Sequence, residues 1–248
     1  MTSSIEWTDE TWNPVTGCTK VSQGCKNCYA ERMAKRLKAM GQPRYINGFN
    51  VTLQEDLINL PYKWRKSRKV FVNSMSDLFH KDIPFDFIHK IFHTMWNCHW
   101  HEFQVLTKRP KIMAEFSKQF LKSSGLELSS GKLPKNILMG TSVENMDVIS
   151  RIDALLEVPA HSRFLSCEPL LGPLDLKKYL STGQIHWVIV GGESGPRSRP
   201  IEKQWVLDIR DQCLEYNIPF FFKQWGGSNK KKSGRELDGI EYHEFPNG

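Results

Sequence analysis

Three cysteines near the amino terminus, Cys18, Cys25 and Cys28, lie in the run GCTKVSQGCKNCYAERM with the spacing C-x6-C-x2-C. Thiolates are soft ligands that suit iron-sulfur clusters and zinc, and a C-x2-C pair brings two sulfurs to one centre without strain. Gly17 and Gly24 each precede a cysteine. Residues without side chains there let the loop close tightly and let backbone amides approach bridging sulfurs. The helix-forming run AERMAKRLKAM starts just after Cys28, so the positive end of its dipole points at an anionic thiolate centre. The number of ligands matters chemically. A structural zinc site is closed by four ligands, and no second C-x2-C or histidine pair stands nearby in the sequence. His80, His89, His93, Cys98, His99 and His101 would have to be brought in by the fold. A 4Fe-4S cluster on three cysteines leaves one iron open, as a catalytic centre requires. The expected metal ligands are therefore Cys18, Cys25 and Cys28 on a 4Fe-4S cluster, with zinc as the alternative.

The elements that must position these thiols show in the periodicity downstream. Short β-branched or aromatic runs predict strands at Val70 to Ser74, Phe103 to Thr107, Ile137 to Ser142, Phe164 to Cys167, Trp187 to Val190 and Pro219 to Lys223. Amphipathic runs predict helices at about Phe85 to Cys98, Lys111 to Leu121, Asn145 to Leu156 and Lys203 to Tyr216. Pro84 and Pro110 sit where a helix start can spare an amide. Strand and helix in alternation imply an α/β fold with a parallel sheet. The strands end in polar clusters, SMSD, TKR, TSVEN, SCEP, GGESG and KQWGG. In such a sheet or barrel these loops converge on one mouth, where ligands bind. Any one cluster is better explained by loops being wet; the recurrence at similar offsets locates a site.

Bulk properties narrow the class. A chain of 248 residues with 40% hydrophobic and 25% charged residues fits one globular domain, taken as 1–248. Six cysteines are too few for a disulfide scaffold. No apolar run approaches the ~20 residues of a membrane span, and the first residues lack a secretory signal. The protein is expected to be cytosolic, with no membrane partner. A net charge of +7 permits nucleic acid or a nucleotide as partner without establishing one. Two basic segments, 41–69 and 226–248, read as excursions from the barrel, with Tyr45, Tyr62 and Trp64 available to stack on bases. The competing reading of such runs is a solvated surface.

GC followed by GCxxCY, a helix and successive βα units resembles the radical S-adenosylmethionine superfamily, in particular the branch that includes spore photoproduct lyase. The chain departs from the superfamily's usual C-x3-C-x2-C by three extra residues and has Asn27, not an aromatic, before the third cysteine. WNPVTGCTKVSQGCKNCYAERMAKR, VFVNSMSDLFHKDIP, LTKRP, SCEPLLGP, VIVGGESGPRSRP and PFFFKQWGG together resemble a family of uncharacterised phage and prophage proteins, sometimes associated with a three-cysteine-motif partner protein. The resemblance implies a parallel (β/α) barrel, partial or complete, and an enzyme that binds S-adenosylmethionine at the open iron. An external reductant would supply the electron that releases a 5'-deoxyadenosyl radical. It also implies roles. Tyr29, Ser74, Ser76 and Asp77 would meet the cofactor near its methionine amino group, and Ser142 and Glu144 its ribose hydroxyls or carboxylate. Glu168, Glu193 and Lys223, with Gln224, would face substrate as the catalytic set. Asp77 is equally suited to capping the next turn, and Arg197 and Arg199 to gripping a phosphate or carboxylate beside Gly191, Gly192 and Gly195. A non-catalytic cluster or zinc protein that binds nucleic acid, or a degenerate enzyme serving a partner protein, remains the alternative.

Overall fold

The computed structural model describes residues 5–246. Residues 1–4 and 247–248, the ends of the expected single domain and of the second basic segment, lie outside the described residues. The strands are β1 (Glu10–Trp12), β2 (Val15–Thr16), β3 (Thr52–Leu53), β4 (Lys69–Val72), β5 (Glu102–Thr107), β6 (Ile137–Ser142), β7 (Ser162–Cys167), β8 (Trp187–Gly191), β9 (Phe220–Gln224), β10 (Glu236–Leu237) and β11 (Ile240–Glu241). The helices are α1 (Tyr29–Ala39), α2 (Phe85–Asn97), α3 (Pro110–Ser124), α4 (Leu126–Ser129), α5 (Arg151–Leu156), α6 (Lys177–Leu180), α7 (Lys203–Glu215) and α8 (Lys230–Ser233).

Seven strands form one sheet in the order β1-β4-β5-β6-β7-β8-β9, and every neighbouring pair is parallel. β1 and β9 are not joined, so the α/β fold is a partial barrel rather than a closed one. Parallel pairing throughout brings all seven carboxyl ends to one rim. β1 has only three residues and was not legible from periodicity, yet its register with β4, Glu10 opposite Val70 through Trp12 opposite Val72, starts the sheet. The cysteine loop follows β1 and the short β2 and runs into α1.

The strands are buried on both faces. Val70, Val72, Phe103, Val105, Ile137, Met139, Leu165, Val188, Val190, Phe220 and Phe222 join the large core under the helices. Alternate residues Phe71, Leu138, Phe164, Ile189 and Phe221 form a smaller cluster with Trp7 and Trp187 on the inner face. Trp7 meets Phe71 at 4.6 Å and stands edge-on to Trp187 at 6.1 Å, which plugs the interior with aromatic rings. Period-two alternation therefore places Ser142, Ser166 and Glu168 on the inner side toward the rim.

Two expectations change. The helix expected over Asn145 to Leu156 is a 3-10 turn at Met146–Val148 followed by α5. Asn145 Nδ2 bonds Asp147 Oδ2 at 2.9 Å, local polar chemistry that competes with a helix start. The 41–69 segment lies outside the seven-stranded sheet, where β3 pairs antiparallel with β2 and the Cys18 amide donates to Phe49 O at 3.1 Å. Trp64 packs against the core and edge-on to His101 at 5.6 Å, so it is no stacking platform; the exposed Tyr62 phenol accepts from Asn97 Nδ2 at 3.0 Å. The end of the chain also folds back. The Phe222 amide donates to Tyr242 O at 2.9 Å and Phe221 bridges His243, covering the β9 edge that would otherwise template association. Among the described residues no helix is long and apolar enough to cross a membrane.

Candidate functional site

Cys18, Cys25 and Cys28 are half-buried on one loop over the rim, and none forms a disulfide. The loop's entry is tied to the turn that follows β4. Gly17 N donates to Met75 O at 3.1 Å, Ser76 Oγ to Val15 O at 2.9 Å, and Asn13 Oδ1 accepts from Met75 N at 2.9 Å and Ser74 Oγ at 3.2 Å. Its exit is tied by the Tyr29 phenol, which donates to Ser74 O. Gly17 has φ +85 and lies so close to the Asn50 carbonyl that a Cβ would overlap it. A Cβ at Gly24 would overlap the Glu144 carboxylate. The two glycines therefore serve the packing of the loop on its neighbours, a different reason from the close approach to sulfur expected from sequence.

Three carboxylates beneath the loop each reach it, directly or through an arginine. Asp77 accepts from Thr107 Oγ1 at 2.6 Å, Phe79 N at 3.0 Å, Lys108 N at 3.0 Å and Arg109 Nη1 at 2.9 Å. The Phe79 bond makes Asp77 the turn cap that sequence allowed. Arg109 in turn reaches Thr19 O at 2.9 Å and Cys18 Sγ at 3.5 Å. Glu144 accepts from Lys108 Nζ, from Arg151 Nη1 at 2.9 Å and from Ser22 Oγ at 2.9 Å, three residues before Cys25. Glu193 accepts from Asn27 Nδ2 at 2.9 Å and from Arg199 Nη2 at 2.5 Å, and Arg199 also holds Gln23 O at 3.0 Å. The carboxylate that Arg199 grips is the protein's own. Asp77, Glu144 and Glu193, expected to meet cofactor or substrate, thus have internal partners. So do Ser74, Ser76 and Tyr29, while Ser142 is buried at the end of β6 and its carbonyl accepts from Arg151 at 3.0 Å.

Glu168 differs. Its Oε2 pairs with Lys223 Nζ at 2.7 Å and its Oε1 accepts from Ser166 Oγ at 3.3 Å, and neither bond involves the cysteine loop. The register shifts after Val190 so that Gly191 faces Gln224, which leaves Lys223 as the extra residue of a bulge. Bulges re-aim side chains near sites. Here Lys223 Nζ sits 6.0 Å from the Trp7 ring, inside the half-barrel, where the Trp7 Nε1 and Gln104 Oε1 atoms are buried without partners. Gln224 is turned to Gly192 O and Ser194 Oγ, both at 2.9 Å.

The electrostatics follow from burial and these partners. Burial pushes the Cys18 thiol up to about 11, and Asp77 adds to the rise against the opposing Arg109 charge. Burial also raises Cys28, a rise that the Glu31 and Ala30 amides oppose without closing a regular cap hydrogen bond. A metal would displace those protons, since ligating thiols bind deprotonated. Burial alone would raise Glu144, but the charges of Lys108 and Arg151 outweigh it and hold the carboxyl below its ordinary value. Glu193 is likewise held low by hydrogen bonds from Arg199 and Asn27 against its burial.

Among the described residues no three His, Cys, Asp or Glu side chains converge tightly enough to hold a single metal ion. Single-ion sites need sulfurs about 2.3 Å from one centre; a cubane spreads its thiolates over separate irons. His80, the nearest of the candidate histidines in role, bonds Thr19 Oγ1 through Nε2 at 2.7 Å and supports the loop instead. The residues sequence reasoning missed are the loop's supports, Ser22, Asn27, Lys108, Arg109 and Arg151. Their one visible signal was TKR at the end of a strand that shares its rim with three carboxylates. A surface hollow lined by Phe85, His89, Phe116 and Ser123 lies between α2 and α3 and contains none of these groups.

Fold and site together define an α/β protein with a half-buried cysteine loop stitched over the rim of an open parallel sheet. The chain belongs to the family described as "Protein of unknown function (DUF5131)", whose model matches residues 2–246. No curated protein matches the sequence. Among solved structures, a mutant spore photoproduct lyase with bound AdoMet and dinucleoside spore photoproduct is similar at 10% identity and a TM-score of 0.46, over 83% of this chain. This chain spans 61% of that structure's length.

Proposed function

We propose that the protein is a radical S-adenosylmethionine enzyme in which Cys18, Cys25 and Cys28 hold a 4Fe-4S cluster. The observation that carries the reading is a loop of three half-buried thiols at the carboxyl rim of an all-parallel half-barrel. Below that rim Glu168 and Lys223 form a pair set apart from the loop's supports. The donor set fits: three soft thiols, one of them already accepting a hydrogen bond from a cation. Such a cluster, when bound, supplies the electron that cleaves S-adenosylmethionine to a 5'-deoxyadenosyl radical.

The chain's own residues do the rest. Asp77, Glu144 and Glu193, through Arg109, Ser22, Asn27 and Arg199, fix the loop that carries the thiols. Glu168 and Lys223, with Ser166 behind them, are the groups left to recognise a zwitterionic or hydroxyl-bearing ligand in the interior. The aromatic floor of Trp7, Phe164 and Trp187 excludes water from that space. An anionic substrate, a nucleic-acid component, fits the net charge of +7 and the exposed Lys35, Arg36 and Lys38 of α1. An external one-electron donor is required.

The test is turnover without added substrate. Protein reconstituted anaerobically with iron and sulfide, then reduced with dithionite in the presence of S-adenosylmethionine, is expected to release 5'-deoxyadenosine, read by mass spectrometry. A loaded cluster that yields none would defeat the enzyme reading and leave a cluster protein that binds nucleic acid.

A further inference from the structure

The supports of the loop do not treat the three sulfurs alike. Cys25 Sγ has a contact with the Ser22 hydroxyl at 3.9 Å, whereas Cys18 Sγ receives an N–H from Arg109 at 3.5 Å. That guanidinium is fixed from every side. Its Nη1 is also bound to Asp77 Oδ2 at 2.9 Å, and its Nη2 to Thr19 O at 2.9 Å and Thr19 Oγ1 at 3.1 Å. Asp77 is anchored in turn by Thr107, Phe79 and Lys108, and Thr19 by His80. The Arg109 side chain is only 10% exposed, so solvent does little to screen it. Local sequence explains the placement, because Arg109 follows β5 at the rim and Pro110 opens α3 immediately after it.

A permanently charged donor on a ligating sulfur stabilises whichever oxidation state carries more electron density there. Hydrogen bonds to sulfur and local charge are among the factors that set cluster potentials. Arginine suits this because its fork can hold a carboxylate, a carbonyl and a sulfur at once in one plane, which a lysine ammonium cannot do with the same rigidity. We propose that Arg109 is a positioning residue for the cluster: it locks the Cys18 sulfur in place and raises the cluster's reduction potential, easing its one-electron reduction by an external low-potential donor. The assignment rests on the reading of the cysteine loop as a cluster site.

The experiment compares wild type, Arg109→Lys, Arg109→Met and the double variant Asp77→Asn with Arg109→Met. The double variant removes both members of the buried pair, so neither charge is left unpaired. Each protein is reconstituted anaerobically, assayed for iron and sulfide, and titrated to its midpoint potential by electron paramagnetic resonance, with circular dichroism reporting the fold. Arg109→Met, which removes the cation and leaves Asp77, is expected to show at least a tenfold less favourable reduction equilibrium, about 59 mV more negative for one electron. Arg109→Lys is expected to show an intermediate shift, and the double variant a smaller shift than Arg109→Met because the opposing Asp77 charge is gone as well. Loss of cluster loading in folded variants would support the positioning role. Loaded variants with wild-type midpoints would overturn the role of Arg109 and leave the cluster reading standing. Wild-type protein that takes up no iron or sulfide would overturn both.

Discussion

Two kinds of carboxylate share one rim. Asp77 is saturated by four donors, and Glu144 and Glu193 are each held by cations and by the cysteine loop. Glu168, a short distance round the rim, has one lysine and one serine and touches none of the loop. The difference teaches that a conspicuous acidic residue at a strand end is not by itself a ligand-binding residue. Where neighbouring strand ends supply arginines, the carboxylate becomes a fastening. Where the cation is a single bulge lysine aimed inward, the carboxylate is left out of the fastening.

The comparison predicts a hierarchy of effects. The largest is on the loop itself: Cys25→Ser is expected to abolish iron loading, while Lys223→Met leaves loading at the wild-type level, both read as iron and sulfide per chain after reconstitution. Next comes Glu144→Gln, which leaves Lys108 and Arg151 facing a neutral group in a buried position. Breaking such a pair costs about 3–5 kcal/mol, measurable as a lowered urea midpoint at pH 7. Equal losses in Glu144→Gln and Glu168→Gln would erase the distinction between fastening and free pair.

Acid titration sharpens the same contrast. Glu144 and Glu193 are held below the ordinary glutamate value of 4.5 in the folded protein. A depressed carboxyl contributes stability that is fully present above its unfolded value and is lost as pH falls through its folded value. Unfolding free energy is therefore expected to hold near neutrality and to fall below pH 4.5, with a shallower fall in Glu144→Gln. Urea midpoints measured from pH 7 to pH 3 check this. Gly24→Ala is smaller: the new methyl meets the Glu144 carboxylate and must displace it, an overpacking cost of about 1–3 kcal/mol. Smallest in stability is Glu168→Gln, about 1 kcal/mol, because Glu168 faces one cation and keeps some solvent contact, whereas Glu144 faces two and is almost fully buried. Its effect is expected instead on S-adenosylmethionine affinity, read by equilibrium dialysis.

Most of the scaffold was readable from the sequence. Ile137–Ser142 is a strand over the residues its periodicity marks out, and the strands at 69–72, 102–107, 162–167, 187–191 and 220–224 differ from their expected bounds by a few residues at most. β1 escaped because three residues cannot display a period, and the helix at 145–156 failed where Asn145 and Asp147 bond each other. The site was legible as residue types and as a place. Its partnerships were not, since the groups meeting at Asp77 come from positions 79, 107, 108 and 109, and those at Glu144 from 22, 108 and 151. Periodicity describes a residue's face and not its neighbour across a rim. The tethers of the two basic segments, to β2 and β9, escape periodicity for the same reason, being long-range backbone bonds.

The central claim is that three thiols hold an iron-sulfur cube with one corner free for a small ligand. Electron paramagnetic resonance of the reduced, reconstituted protein with and without S-adenosylmethionine addresses it directly. A 4Fe-4S signal whose shape changes on adding S-adenosylmethionine is the predicted result. One equivalent of zinc with no iron uptake, or a cluster signal indifferent to S-adenosylmethionine, would contradict it.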